Sequence, residues 1–275
     1  VTDRRAAVLG KPVDHSRSPI LHNAGYAAAG LVGWQYAKIE CAESELADLV
    51  SGLGPQWAGL SLTMPLKAVA LTVATAVDPF AAALGAANTL VRRAPGWHAY
   101  NTDAPGMLRA LGEVGVSSAD RLSVLGGGGT ARAAIGAAAG LGARVTLYTR
   151  RPAAIDELRP VAAALGVDLV GASWADVARC VAADVVISTV PKGAADSVVG
   201  SVADGLAGGS WSADTVAFDV VYDPWPTVFA GAARDAGCRI VSGLDLLLWQ
   251  AVEQFELFTG VAAPVEAMRS ALWQA

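Results

Sequence analysis

Five short stretches carry residue types that could do chemistry. In "SLTMPLK", residues 61–67, polar Ser61 and Thr63 share one face of a strand end and Pro65 opens what reads as a helix. Lys67 then falls in the first turn, where the positive end of the helix dipole disfavours a resident cation and suits a proton donor. "AANTL" and "YNTD" add Asn88, Thr102 and Asp103. Asp103 would cap the following helix, and spacing alone does not show whether these groups converge. In "GKPVDHSRSP", residues 10–19, Ser18 reads as a helix cap with Pro19 at the first helical position. Ser16 has no such duty, and two hydroxyls at a positive helix end would also hold a carboxylate.

The fifth stretch is "LGGGGTARA", where a strand ending at Leu125 meets a helix. Gly126, Gly128 and Gly129 allow a tight turn and close approach of backbone N–H groups to a pyrophosphate, and Ala133 is small enough for close helix–strand packing. Strand, turn, helix and second strand follow within about thirty residues, as a dinucleotide-binding unit requires. The second strand ends in "LYTRRP", with no carboxylate from Leu147 to Ala154, where an acidic residue would select NAD. Arg150 and Arg151 can instead pair the 2′-phosphate of NADP through bidentate contacts; as side chains alone they could equally be a solvated surface pair.

These residues need a scaffold, and the composition supplies one. The 275 residues are 53% hydrophobic and 16% charged, enough to bury one large or two modest cores. A net charge of −5 argues against a nucleic-acid partner. Cys41, Cys180 and Cys238 are odd in number and far apart, and His15, His22 and His98 lack ligand spacing, so neither a disulfide framework nor a metal site is expected. The first apolar run is too short for a signal peptide, and the Ala/Gly-rich stretch 133–143 is too short to span a membrane. A cytoplasmic setting with no membrane partner is expected. Alternating strand and helix patterns indicate an α/β chain. Strands are expected near 6–9, 34–40, 57–62, 167–170, 184–188, 215–220 and 239–241, with helices near 19–29, 43–53, 65–75 and 103–113. A hairpin is expected over 87–100, turned at Pro95-Gly96, and an amphipathic helix from Gly243, with Leu247, Ala251, Gln254, Phe255 and Phe258 at helical spacing.

With these segments in place, the chain resembles the shikimate dehydrogenase family over essentially its whole length. The ordered motifs are "GKPVDHSRSPILHN", "SLTMPLK", "GAANTL", "NTD", "LGGGGTARA", "VISTVPKG", "DVVYDPWPT" and "GLDLLLWQA". The resemblance implies an N-terminal α/β substrate domain, a Rossmann-type NADP-binding domain and a cleft between them. The substrate domain would comprise 1–102 plus 243–275 and the NADP domain 103–242. It further implies reversible NADPH-dependent reduction of 3-dehydroshikimate to shikimate, on the route to chorismate and the aromatic amino acids. The alternatives are an NAD-dependent quinate/shikimate dehydrogenase and a non-catalytic NADP-sensing regulator. A monomer or homodimer with a small-molecule substrate and no metal is expected.

Carried over residue by residue, Lys67 and Asp103 match the catalytic pair. Ser16 and Ser18 match the positions that bind the shikimate carboxylate, with Tyr222 near it. Ser61, Thr63, Asn88 and Gln250 match positions facing the ring hydroxyls. The cofactor positions are Gly126, Gly127, Gly128, Gly129, Thr130, Ala131, Thr149, Arg150, Arg151 and Gly243. Several residues depart from the family's usual pattern: Ser61 for asparagine, Ala104-Pro105 for glycine, Thr149 for asparagine, Arg151 for threonine, and Asp245-Leu246 for glycine-methionine.

The "TRRP" reading is checked by comparing kcat/KM for the two cofactors. The wild type is expected to prefer NADP. Arg150→Ala with Arg151→Ala is expected to raise KM for NADP about thirty- to hundredfold while barely moving NAD kinetics. A wild type faster with NAD at equal concentration would overturn it.

Overall fold

The computed structural model describes residues 3–203 and 211–275, and the chain divides into two units, Val1–Gly106 with Leu247–Ala275, and Met107–Leu246. The strands of the first unit are β1 (Arg4–Gly10), β2 (Trp34–Glu40), β3 (Trp57–Leu62), β4 (Ala76–Val77), β5 (Thr89–Arg93) and β6 (Gly96–Tyr100). They form one mixed sheet in the order β2-β1-β3-β5-β6-β4. Its helices are α1 (Ser18–Ala28), α2 (Leu46–Gly52), α3 (Ala70–Val73) and α4 (Pro79–Leu84). α5 (Asp103–Glu113) leads out of this unit.

Alternation along β3 sends Leu60 and Leu62 into an apolar cluster with Leu9, Leu66, Leu90 and Trp97. Ser61 therefore faces the other way, directly opposite Thr89 of β5 in the antiparallel register. Small residues on that face admit a helix at close range: a Cβ at Gly59 would stand 2.0 Å from the Phe258 ring. Phe258 belongs to the long helix that follows the second unit.

The second unit is an all-parallel sheet of β7 (Arg121–Leu125), β8 (Arg144–Thr149), β9 (Leu169–Ser173), β10 (Val185–Ser188), β11 (Val216–Asp219) and β12 (Arg239–Ser242). The order β12-β11-β10-β7-β8-β9 reverses direction between β7 and β10, the doubly wound Rossmann arrangement. Its helices are α6 (Gly129–Leu141), α7 (Pro152–Ala164), α8 (Asp196–Ala203) and α9 (Val228–Asp235). α10 (Gly243–Thr259) begins here and ends in the first unit, where α11 (Val265–Trp273) closes the chain and packs against α1.

Three local expectations are corrected. No helix runs from 65 to 75: residues 64–69 are turns, and only Ala70–Val73 is helical. The Lys67 carbonyl accepts from the Ala87 N–H at 2.8 Å, so it is withdrawn from any helical ladder, and Lys67 does not stand in the first turn of a helix. Ser18 does not cap α1. It is the first residue of that helix, which has no side-chain cap, and its N–H donates to Ser16 Oγ at 3.3 Å. Nor does Asp103 cap α5, because Asn101 Oδ1 takes the N–H groups of Asp103 and Ala104 at 3.1 and 3.2 Å. That substitution frees the Asp103 carboxylate.

The first unit also buries His22 completely, stacked on Tyr36 with ring centroids 4.1 Å apart, and neither ring nitrogen makes a hydrogen bond of full geometry among the described residues. Burial lowers its pKa from 6.5 to about 3. Between those two values the unfolded chain binds the proton that the native state refuses, so stability falls as pH drops below 6.5. Urea melts at pH 7 and pH 5 are expected to show a loss of about 2 kcal/mol from this group. His22→Phe is expected to remove that part of the pH dependence, and an unaltered dependence in the variant would refute the assignment.

Candidate active site

Lys67 Nζ lies 2.6 Å from Asp103 Oδ2, with side-chain exposures of 19% and 10%. A charge-assisted bond of this length, mostly withdrawn from water, holds the ammonium in one direction. The other oxygen, Asp103 Oδ1, accepts from Asn88 Nδ2 at 2.8 Å. Asn88 donates a second bond to Thr102 Oγ1 at 2.9 Å, and its Oδ1 accepts from the Thr102 N–H at 2.8 Å. The amide is therefore held on both sides. Its donors are committed inside the protein, so its first duty is to fix the carboxylate.

Thr63 follows β3 and its side chain packs on Gly10, where a Cβ would stand 2.3 Å from Thr63 Cγ2. Its hydroxyl makes no hydrogen bond among the described residues, which leaves it available to a ligand. Ser16 and Ser18 are mutual partners at 3.3 Å, one half-buried and one buried. Gln250 is buried but spends its Nε2 on the Leu247 carbonyl at 2.8 Å. Ser61 is 4% exposed and spends its proton on Gln254 Oε1 at 2.6 Å while accepting from the Tyr36 hydroxyl at 2.6 Å. Thus Lys67, Asp103 and Asn88 are brought into direct contact, and Ser61 and Gln250 are tied to other protein groups. Tyr36, Thr89, Asn101 and Gln254 are the members that sequence reading missed. Gln254 had one legible signal, a polar residue on an otherwise apolar helical stripe.

In the second unit, the glycine turn follows β7 where the strand order reverses, the place at which such sheets bind ligands. Gly126 has φ +98°, and a Cβ there would meet Val190 Cγ1 at 2.8 Å, so the turn itself demands glycine. Gly128 and Gly129 are different: a Cβ at either would meet nothing within 4 Å. Protein packing does not require these glycines, and α6 has no side-chain cap on its first N–H groups. Thr130 and Ala131 stand in that first turn. An open backbone cradle at an uncapped helix start fits a pyrophosphate. Gly127 lies against Ala154, where a Cβ would come within 2.6 Å.

At the end of β8, Thr149 Oγ1 accepts from the Arg151 N–H at 3.1 Å and fixes the "TRR" corner. The Arg150 guanidinium lies 5.9 Å from the Trp174 ring centroid, while Arg151 pairs with Glu157 at 3.1 Å in solvent. Glu157 lies beyond the residues that sequence reading screened for a carboxylate, and α7 brings it back. Tyr222 is half-buried in the loop after β11. A Cβ at Gly243 would stand 2.1 Å from the Val220 carbonyl, so that glycine is demanded by a close backbone approach. Asp245 Oδ2 accepts from the Ser242 N–H and hydroxyl at 2.8 and 2.6 Å, a reciprocal cap that gives this residue a structural role. Among the described residues no group of His, Cys, Asp and Glu could hold a metal, and no helix is long and apolar enough to cross a membrane.

Comparison with known proteins agrees with this layout. The shikimate dehydrogenase substrate-binding domain matches residues 8–90, the alanine dehydrogenase/PNT C-terminal domain 94–202, and the shikimate 5′-dehydrogenase C-terminal domain 243–272. A shikimate dehydrogenase (NADP(+)) of Moorella thermoacetica is 37% identical, the alignment covering 98% of this chain and 92% of that one. The crystal structure of Mycobacterium tuberculosis shikimate dehydrogenase is 42% identical with a TM-score of 0.89, covering 99% of this chain and 100% of that one. The Thermus thermophilus shikimate 5-dehydrogenase, solved in complex with NADP(H) and shikimate, is 28% identical with a TM-score of 0.83, covering 98% and 99%. The chain belongs to the shikimate dehydrogenase family.

Gly128→Ala tests the cradle. Thermal melting is expected to stay level or rise, since the added methyl meets no protein atom and stiffens the unfolded chain. KM for NADP is expected to rise about tenfold as the methyl holds the pyrophosphate off the backbone. A melting temperature that falls with unchanged KM would mean the glycine serves the fold alone.

Proposed function

We propose that the protein catalyses the NADP-dependent, reversible reduction of 3-dehydroshikimate to shikimate. The observation that carries this reading is the Lys67–Asp103 pair, an ammonium fixed at 2.6 Å by a carboxylate that is itself fixed by Asn88. The glycine turn would hold the pyrophosphate of NADP(H), Arg150 and Arg151 its 2′-phosphate and Gly243 its nicotinamide end, and the bound cofactor would supply the hydride.

The chain's own residues handle charge and position. Reducing a ketone puts negative charge on its oxygen, and a cationic proton donor aimed there lowers the barrier. Lys67 Nζ is that donor, and Asp103 holds it against rotation and accepts from the neighbouring ring hydroxyl. Ser16 and Ser18 bind the substrate carboxylate, with Tyr222 assisting. Thr63 and Gln250 meet ring hydroxyls, joined by Asn88 and Ser61 through the acceptor capacity their internal bonds leave. We assign substrate binding to 1–102 plus 243–275 and NADP binding to 103–242. Three buried free thiols, Cys41, Cys180 and Cys238, support a reducing cytoplasmic setting.

Lys67→Ala is expected to lower kcat by about 10²–10⁴. Shikimate KM is expected to change far less, because carboxylate binding rests on Ser16 and Ser18. Steady-state kinetics with shikimate and NADP decide the matter, and a folded variant with near-normal kcat would remove Lys67 from the chemistry.

A further inference from the structure

A chain of buried side-chain hydrogen bonds runs through the first unit and ends on the Asp103 carboxylate. The Tyr36 hydroxyl donates to Ser61 Oγ at 2.6 Å, and Ser61 donates to Gln254 Oε1 at 2.6 Å. Gln254 Nε2 donates to Thr89 Oγ1 at 3.0 Å, Thr89 donates to Asn88 Oδ1 at 2.9 Å, and Asn88 Nδ2 donates to Asp103 Oδ1 at 2.8 Å. Every donor points the same way. Tyr36, Ser61, Thr89, Asn88 and Gln254 are each at most 4% exposed, so water does not compete for these bonds.

The direction is forced by chemistry at each amide. Gln254 Nε2 also lies 3.3 Å from the Asn88 backbone carbonyl, which can only accept. Turning that amide over would set oxygen against oxygen. Its oxygen must then face Ser61, so the Ser61 proton is spent there and Tyr36 must donate. Burial pushes the Tyr36 phenol well above its usual range, which keeps that donor protonated. At the far end, the Thr102 N–H can only donate, so it selects Asn88 Oδ1 and turns Nδ2 toward the carboxylate. Aligned bonds of this kind polarise one another in a low-dielectric interior.

We propose that Gln254 is a positioning residue for the reaction: it orders Thr89 and the Asn88 amide, and through them it sets where the Asp103 carboxylate holds Lys67. The proposal rests on the reading of Lys67 and Asp103 as the catalytic pair. It also gives Ser61 a definite place. The Ser61 hydroxyl stands between Tyr36 and Gln254 and serves the chain before it serves a ligand.

The test uses the full-length protein with Gln254→Met and Thr89→Val, each close in volume to the original residue. Two readouts are needed. The first is the side-chain amide signal of Asn88 by NMR without ligand, which is expected to shift and exchange faster in both variants. The second is kinetics with shikimate and NADP, where kcat is expected to fall about tenfold while shikimate KM stays within about twofold. The two changes act on one chain, so the double variant is expected to be little worse than either single one. Thr89→Ser, which keeps the hydroxyl, is expected to recover the Asn88 signal and at least half of kcat. Lower melting temperatures with an unmoved Asn88 signal and unmoved kcat would overturn the proposal, as would fully additive losses. A wild type without shikimate turnover whose Asn88 signal still responds would overturn the catalytic reading and leave the chain as architecture.

Discussion

A carboxylate largely removed from water is the constraint from which the first unit is built. The side chain of Asp103 is 10% exposed, and such a charge is tolerated only when its oxygens are met by donors of good geometry. Lys67 meets one oxygen and Asn88 the other. Each donor must then be held in turn. Lys67 is fixed at backbone level by the Ala87 N–H, which takes its carbonyl and ends any helix there. Asn88 is fixed by Thr102 and Thr89, and Thr89 sits opposite Ser61 because β3 and β5 pair in that register. The sheet register, the turn run and α10 are thus parts of one solution to the placement of a single charge.

The second unit answers a different demand, the binding of a phosphate-bearing cofactor at a glycine turn. The strand order reverses between β7 and β10, and the glycine turn follows β7 at that switch. Gly126 makes the turn possible, and the surface at Gly128 and Gly129 is open, with no protein atom within 4 Å of a Cβ placed there. The two basic side chains at the end of β8 are unequal. Arg151 already shares an ion pair with Glu157, although a solvent-exposed pair of this kind is weak and readily exchanged for a stronger anion. Arg150 lies over the Trp174 ring, 5.9 Å from its centroid.

The departures from the family's usual residues become intelligible as local bonding. Asp245 makes a reciprocal cap with Ser242 at the start of α10. Thr149 ties the arginine corner through the Arg151 N–H. Ser61 links Tyr36 to Gln254. In each case the side chain makes a hydrogen bond within a segment that carries a proposed ligand contact.

Periodicity and turn chemistry in the sequence determined the element types, and β2, β3 and α5 fall on the residues expected, because those signals depend on neighbours a few positions away. The glycine turn and the ordered motifs determined the family for the same reason. The sequence could not show that the 65–75 helix is refused, since that depends on Ala87 reaching the Lys67 carbonyl from twenty residues further on. It could not choose Asn101 over Asp103 as the cap of α5, since either side chain suits that position and only the pull of Lys67 and Asn88 on the carboxylate decides. Gln254 is the clearest case. On the helix it is one polar residue in an apolar stripe, and its role appears only when α10 lies across β3 and β5, bringing together groups 165 and 193 positions away in the chain. Hydrogen-bond direction is a property of a closed network, and a network closes only when distant segments have been folded against one another.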